Sequence, residues 1–453
     1  MPIENCLFLL WRPAVVFYYY LIGFPRRVPA VGSTASSGDL TMKVITYLSM
    51  HARRALFLTA AAALACGPLS AETVPPPAPA APQPAELANS IGLKFSARAA
   101  ETGNIFFSPY GLYSAFSMVY DCARENTAAE IRGVFGFPED RDILRTETVL
   151  LRRGAIKAVK GAEFGRVNSF WYQKGYEFLP DYEEVLKSSH SASGETADFR
   201  SSAERARSSV NAWTKKQTGG RITDVLEQGA VTQLTRLALV SAVYFKGQWK
   251  RAFGAGGTAE QDFTLPGGGT VKAQLMASTE PANINYYEDE ELQAAGLDYT
   301  GGRLRMLVLL PAAGHSAAAI GKALTPERLA EIKKAMAARL DPAVVYLPRF
   351  KFASSWDLAA GLSAMGMPQA FTDAADLSGM TGRKGLYLQK AVQKAYIEVS
   401  EQGAAAPAAP TRKKRGKKPL VFRADRPFIF LIEDKFTGLI FFIGRVDDPS
   451  LAV

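Results

Sequence analysis

The sequence predicts an α+β domain, with large, mostly antiparallel sheets and helices packed around them. Three observations predict it. Apolar, strand-like runs recur at residues 237–245, 305–310, 344–347, 386–399 and 428–446. Helix signals cluster earlier, where apolar residues return at helical spacing beside recognisable caps. Near the C-terminus, two strand-like segments flank a stretch with nothing to bury, longer than the roughly 12–15 residues of an ordinary loop.

In chain order, residues 1–49 are apolar and aromatic-rich but broken by Arg12, Pro13, Pro25 and the Arg26-Arg27 pair. They read as an upstream extension outside the translated protein, with a membrane anchor over residues 7–24 as the alternative. From Met50, His51-Ala52-Arg53-Arg54 supplies a charged start, residues 55–65 an apolar stretch, and small residues follow. That order predicts an export signal over residues 50–71. Ala63-Leu64-Ala65-Cys66-Gly67 fits a lipobox that leaves Cys66 lipidated, whereas Leu69-Ser70-Ala71 fits ordinary signal cleavage; both stay open. Six prolines within residues 72–85 make an extended spacer. The expected location is extracellular, periplasmic or lipid-anchored at the cell surface.

The domain itself is expected over residues 86–453. Leu87, Ile91 and Phe95 recur as one face of an opening helix. Asn104-Ile105-Phe106-Phe107 reads as a short buried strand, and Ser108-Pro109 as the cap and first-turn proline of a helix through Met118. Thr127-Ala128-Ala129-Glu130 has the spacing of a capping box for the next helix. Gly267-Gly268-Gly269, after Pro266, reads as a hairpin turn rather than a phosphate cradle. Glu288-Asp289-Glu290-Glu291 reads as a solvated loop.

Charge and composition exclude several function classes. The formal net charge is +10; residues 1–71 hold six Lys/Arg against two acids, which leaves +6 for the rest. Six cations between Arg412 and Lys418 account for that excess. Nucleic-acid binding needs a basic face spread over the fold, so it is not expected. Beyond residue 71 only Cys122 remains, so no internal disulfide is expected and the core must supply the stability. His190 and His315 sit in no metal-ligand or nucleophile-activating pattern, and GxSxG, HExxH and P-loop spacings are absent. No enzyme, cofactor or metal site is expected.

The stretch from Lys394 to Phe430 organises the chain. Ala395, Ile397 and Val399 alternate against Tyr396, Glu398 and Ser400 as a strand does. After Glu401 come Gly403, a run of small residues with Pro407 and Pro410, and the basic tip. Alternation returns at Leu420-Val421-Phe422.

Ile397-Glu398-Val399-Ser400-Glu401-Gln402-Gly403-Ala404-Ala405-Ala406 resembles the hinge of the serpins, the serine protease inhibitor family. Phe422-Arg423-Ala424-Asp425-Arg426-Pro427-Phe428 is similar to the motif closing their reactive-centre loop, and Gly444-Arg445-Val446-Asp447-Asp448-Pro449 to their terminal motif. Tyr244-Phe245-Lys246-Gly247-Gln248-Trp249 and Leu347-Pro348-Arg349-Phe350-Lys351-Phe352 match in order as well. The resemblance covers nearly everything after residue 85. It implies a single, monomeric serpin-like domain with a reactive-centre loop over about residues 402–424.

The resemblance also implies a suicide mechanism. A protease acylates itself on the bait, and the freed limb of the loop inserts as a new central strand of the main sheet. The implied hinge is Glu401, Gly403, Ala404, Ala405 and Ala406; the implied reactive bond is Lys417-Lys418, with Arg415-Gly416 second. A basic residue before the cut implies a trypsin-like or dibasic-specific serine protease, held as a covalent acyl complex. Gly111, Ser241, Trp249 and Gln393 fall at the sheet-opening positions. The family usually has Ser, Asn and His where this chain has Gly111, Ser241 and Gln393, so the hydrogen-bonded cluster there is rebuilt or looser. Pro407 and Pro410 would each remove an N–H from an inserted strand. The alternative is a serpin-fold protein that does not inhibit, cut as a substrate or binding polyanions weakly through its basic tip.

Overall fold

The computed structural model describes residues 83–99, 102–402 and 418–451, all within one compact unit, Ala80–Val453. The expected export signal, Cys66, residues 72–82 of the spacer and residues 403–417 lie outside the described residues; the end of the expected spacer, Pro84 and Ala85, belongs instead to the first helix.

Helix α1 (Pro84–Ser96) buries Ile91 and Phe95 on the expected face. Strand β1 (Ile105–Phe107) leads into α2 (Pro109–Cys122), where Ser108 Oγ accepts the Gly111 N–H and Pro109 occupies the first turn. Every residue of α2 is buried, so the helix has no solvent face. Helices α3 (Glu125–Phe135) and α4 (Arg141–Ala158) pack beside it. The capping box expected at Thr127 and Glu130 is not formed, because α3 already begins at Glu125. Thr127 Oγ1 instead accepts the Asp376 N–H at 2.9 Å, and Glu130 accepts the Gln369 N–H at 2.9 Å. Tertiary hydrogen bonds have taken the side chains that local spacing assigned to a cap.

Strand β2 (Glu163–Gln173) is followed by α5 (Pro180–Val185), which runs into a π-turn, Leu186–His190. Then come β3 (Ser193–Ala197), α6 (Phe199–Gln217) and β4 (Leu237–Lys246). Strands β5 (Ala259–Thr264) and β6 (Thr270–Ala277) form the expected hairpin, with Gly268 at φ +86° in its turn. Strands β7 (Ala282–Glu288), β8 (Leu292–Asp298) and β9 (Leu304–Pro311) form a meander. The acidic run between β7 and β8 is more than a solvated loop. Asp289 closes the turn by accepting the Glu291 and Leu292 N–H groups, and it pairs with Arg328.

Helices α7 (Ala317–Ala323) and α8 (Pro326–Ala337) precede β10 (Leu340–Pro348) and β11 (Phe350–Asp357). Helices α9 (Leu358–Ala364) and α10 (Ser378–Thr381) precede β12 (Lys390–Val399). The strand expected to begin at residue 386 therefore starts at Lys390; Leu386 and Leu388 are buried ahead of it. The run 428–446 is two strands, β14 (Phe428–Asp434) and β15 (Ile440–Val446), preceded by β13 (Leu420–Arg423).

Two sheets result. One has five strands in the order β11-β12-β4-β2-β3; the other has ten, running β1-β15-β14-β9-β8-β7-β10-β6-β5 with β13 on β10. Pairing is antiparallel except for β12 with β4, β2 with β3 and β10 with β13. The α2 helix packs against both β4 and β15, joining the sheets through one core. Phe106 of β1 stacks on Phe442 of β15 with ring centroids 4.6 Å apart. Gln402, just beyond β12, and Lys418, just before β13, therefore flank residues 403–417 on different sheets.

Candidate functional site

The pairing of β12 with β4 is a parallel seam of nine residue pairs, from Lys390 opposite Ala238 to Glu398 opposite Lys246. One face carries Gln393 opposite Ser241, Ala395 opposite Val243 and Ile397 opposite Phe245, all buried towards α2. The other face, under α6, carries Val392 opposite Val240 and Lys394 opposite Ala242. It ends at Glu398 opposite Lys246, whose charges meet at 2.8 Å across the seam.

Three of the four expected sheet-opening residues meet at mid-seam, and their cluster is rebuilt rather than loose. Ser108 donates its N–H to Gln393 Oε1 at 2.7 Å, and Gln393 Nε2 donates back to the Ser108 carbonyl at 3.2 Å. Ser108 Oγ donates to the Phe441 carbonyl of β15 at 2.6 Å. The amide of Gln393 thus clasps β12 to the N-terminus of α2, with every polar atom of the clasp buried. Gly111 makes room for it. A Cβ at Gly111 would lie 2.9 Å from Gln393 Nε2, 2.9 Å from Val243 Cγ2 and 3.1 Å from Ser108 Cβ. Ser241 is bonded separately, by Asn168 of β2. With its amide oriented by the surrounding donors and acceptors, Asn168 donates to Ser241 Oγ at 3.0 Å and accepts the Ala115 N–H at 3.2 Å. Sequence reasoning missed Asn168, although an Asn inside the apolar run Val167-Asn168-Ser169-Phe170-Trp171 signals a buried partner.

Trp249, the fourth residue, lies at the end of the seam nearest the loop. It is 2% exposed and stacked on Tyr299 at 4.5 Å. Its Nε1 donates to the Ser400 carbonyl at 2.8 Å and its N–H to the Gln402 carbonyl at 3.0 Å. Between these, Glu401 pairs with Arg349 at 2.6 Å and accepts the Thr258 hydroxyl at 2.8 Å. Partial burial opposes ionisation of Glu401, but its bonds from Arg349, the backbone and Thr258 prevail and hold the carboxyl below its usual range. Of the expected hinge, Glu401 is anchored; Gly403, Ala404, Ala405 and Ala406 lie outside the described residues, as do Arg415, Gly416 and Lys417. Lys418 is exposed just ahead of β13. Arg349 and Lys246 stood in quoted motifs, but only the fold reveals their partners.

A second constellation is invisible in sequence. His190, at the end of the π-turn, has Nδ1 3.2 Å from Ser117 Oγ and Nε2 3.0 Å from Asp121 Oδ2, both on α2. Arg145 of α4 grips Asp121 through Nη2 at 2.7 Å and Nε at 3.0 Å, and Arg166 of β2 donates to the His190 carbonyl. The order Ser, His, Asp resembles a hydrolase triad. The side chains of His190 and Asp121 are wholly inaccessible, and Ser117 is equally buried. No substrate reaches this hydroxyl, so the cluster joins α2, α4 and the π-turn. Among the described residues no group of three or more His, Cys, Asp or Glu could hold a metal ion.

Two predictions follow from these geometries. Gly111→Ser should cost ~1–3 kcal/mol by overpacking, and Gln393→Ala ~1–3 kcal/mol by stranding the buried Ser108 N–H. Because the truncated side chain also removes the clash, the double variant should lose less than the sum of the single losses. Denaturant unfolding measures this, and strictly additive losses would contradict the coupling. The second concerns pH. Burial disfavours the imidazolium and outweighs the pull of Asp121, so His190 titrates below its ordinary value of 6.5. The unfolded chain binds the proton first, so stability is fully present above about pH 6.5 and is lost as pH falls from there. Asp121 is buried too, yet His190 and Arg145 hold it below 3.8, so its effect starts only in stronger acid. Between pH 7 and 5, Tm should fall less steeply for His190→Gln than for the wild type; parallel curves would remove His190 from the account.

Comparison with known proteins agrees with this architecture. Residues 86–449 match the family model "Serpin (serine protease inhibitor)". An uncharacterized serpin-like protein of Thermococcus kodakarensis is 36% identical over 360 residues, covering 78% of this chain and 82% of that protein. The leukocyte elastase inhibitor of Bos taurus is 36% identical over 358 residues, covering 77% and 93%. Among solved structures, Arabidopsis AtSerpin1 in its native stressed conformation superposes with a TM-score of 0.73 at 26% identity, over 81% of this chain and 98% of that one. With the family model spanning the domain and relatives matched along most of their length, the chain belongs to the serpin family of serine protease inhibitors.

Proposed function

We propose that this serpin is exported and traps Lys/Arg-specific serine proteases by inserting its cleaved loop into the five-stranded sheet. The observation that carries this reading is the closed parallel seam. A limb that turns back after Gln402 runs antiparallel to β12 and also antiparallel to β4, since those two strands are parallel. Insertion exchanges one parallel pairing for two antiparallel ones, which are slightly more stable per residue. The fifteen residues 403–417 reach about 50 Å when extended at ~3.3 Å each, more than the seam needs.

In the chemical step the protease serine attacks the Lys417 carbonyl, the amine of Lys418 leaves, and an acyl ester to Lys417 remains. Insertion must then outrun hydrolysis of that ester. Lys417 is the first choice for the cut because counting from Gly403 in the family's manner places the bond after it, and a basic residue there suits a protease pocket with a carboxylate at its base. Arg415 is the second. Pro407 and Pro410 support a competing substrate branch. Each would leave a carbonyl of a neighbouring strand without its donor, at ~1–3 kcal/mol, and each ~1.4 kcal/mol reaching the barrier slows insertion tenfold. Export rests on the signal-like residues 50–71; the mature N-terminal residue distinguishes Cys66 from Glu72.

Incubation with trypsin tests the proposal. A detergent-resistant complex should form, with a released C-terminal fragment beginning at Lys418 by mass spectrometry; a fragment beginning at Gly416 would move the bond to Arg415. Several molecules should be consumed per protease trapped, and Pro407→Ala with Pro410→Ala should lower that number. One-to-one trapping by the wild type would show that the prolines do not limit insertion, and cleavage without any complex would reject inhibition.

A further inference from the structure

Alternation along β10 and β13 sorts their residues onto two faces. On the inner face Ala343, Val345, Leu347 and Phe422 are at most 3% exposed. The outer face of such a sheet is ordinarily polar, yet here Leu340, Pro342, Val344 and Val421 precede the stacked pair Tyr346 and Arg423 on it. Val421 is the register partner of Val344, and Leu340 lies four residues before Val344 on the same face. Leu340 and Val421 are each 61% exposed. Scattered exposed apolar residues need no explanation. Two on neighbouring strands, with Pro342 and Val344 between them, make a patch. Among the described residues β13 pairs with β10 alone, so Val421 stands on an edge, where exposed apolar side chains are a liability. The nearby charges are matched, Arg423 with Asp425 and Arg339 with Asp341 and Glu288.

We propose that this face is a secondary docking surface for the protease that attacks the adjoining loop; the proposal rests on the bait reading above. Position identifies the occupant. Val421 is three residues beyond Lys418, at most about 10 Å along an extended chain. A protease–inhibitor interface covers about 800 Å² of each partner, a disc of roughly 16 Å radius. A protease centred on the bond before Lys418 therefore covers Val421 and meets the strand that carries Leu340. Apolar contact there adds binding energy remote from the reacting bond.

The test compares wild type with the variant combining Leu340→Glu and Val421→Glu, through the second-order rate of loop attack by trypsin. Thermal unfolding confirms that the variant folds; if it does not, Leu340→Ser with Val421→Ser replaces it. Attack on the variant should slow at least about tenfold, as expected when two charges are set into an apolar contact. A synthetic peptide of residues 411–424 should be cut equally fast with and without Val421→Glu, which separates docking on the folded face from recognition of the extended chain. An unchanged rate in the folded variant, or a peptide that slows as much as the protein, overturns the proposal. So does a wild-type dimer that the substitutions dissolve, because the face then belongs to a second copy. If trypsin leaves the wild-type loop intact, the bait reading itself fails and takes this one with it.

Discussion

The parallel pairing of β12 with β4 is the constraint on which the other functional features depend. Those strands neighbour each other over nine residue pairs while the chain leaves β12 for the other sheet. Under the proposed insertion, a segment running back between them would make two antiparallel pairings, but only after buried pairs such as Ile397 with Phe245 separate. The closed sheet is therefore held by what blocks that separation. The Lys246–Glu398 ion pair crosses the seam, and Trp249, just beyond β4, holds the Ser400 and Gln402 carbonyls beyond β12; the Gln393 clasp ties β12 to the start of α2. Under the proposed insertion each would be lost or remade.

The clasp differs in kind from the ion pair. An amide does not titrate, so Gln393 holds the Ser108 backbone with the same strength at any ordinary pH. The titrating buried group, His190, lies further along α2, among Ser117, Asp121 and Arg145. Helix α2 thus carries both, with Ser108 and Gly111 at its start and Ser117 and Asp121 further along.

How much of this was legible in the sequence depended on range. The strands on either side of residues 403–417 could be read because alternation is a local signal. Ser108-Pro109 was read correctly because a cap and a first-turn proline act within one turn. Thr127 was misread for the complementary reason: its hydroxyl bonds Asp376, distant in sequence, so local spacing pointed to the wrong partner. Gly111 and Gln393 were found as positions where the family pattern breaks, yet their fit to each other rests on a Cβ that is missing, which no spacing rule reports. The grouping of Ser117 and Asp121 with His190 depended on a π-turn that delivers the ring to α2.

Strand neighbours in the loop-cleaved protein test the central claim most directly. After cleavage and removal of the protease, a crystal structure or amide hydrogen exchange reports what lies beside β12. The account predicts that Lys390–Val399 becomes paired antiparallel with residues following Gln402, that the direct pairing with Leu237–Lys246 is gone, and that amides of both strands exchange more slowly than in the intact protein. A cleaved protein in which Gln393 still lies opposite Ser241, with β12 and β4 in direct contact, would contradict it.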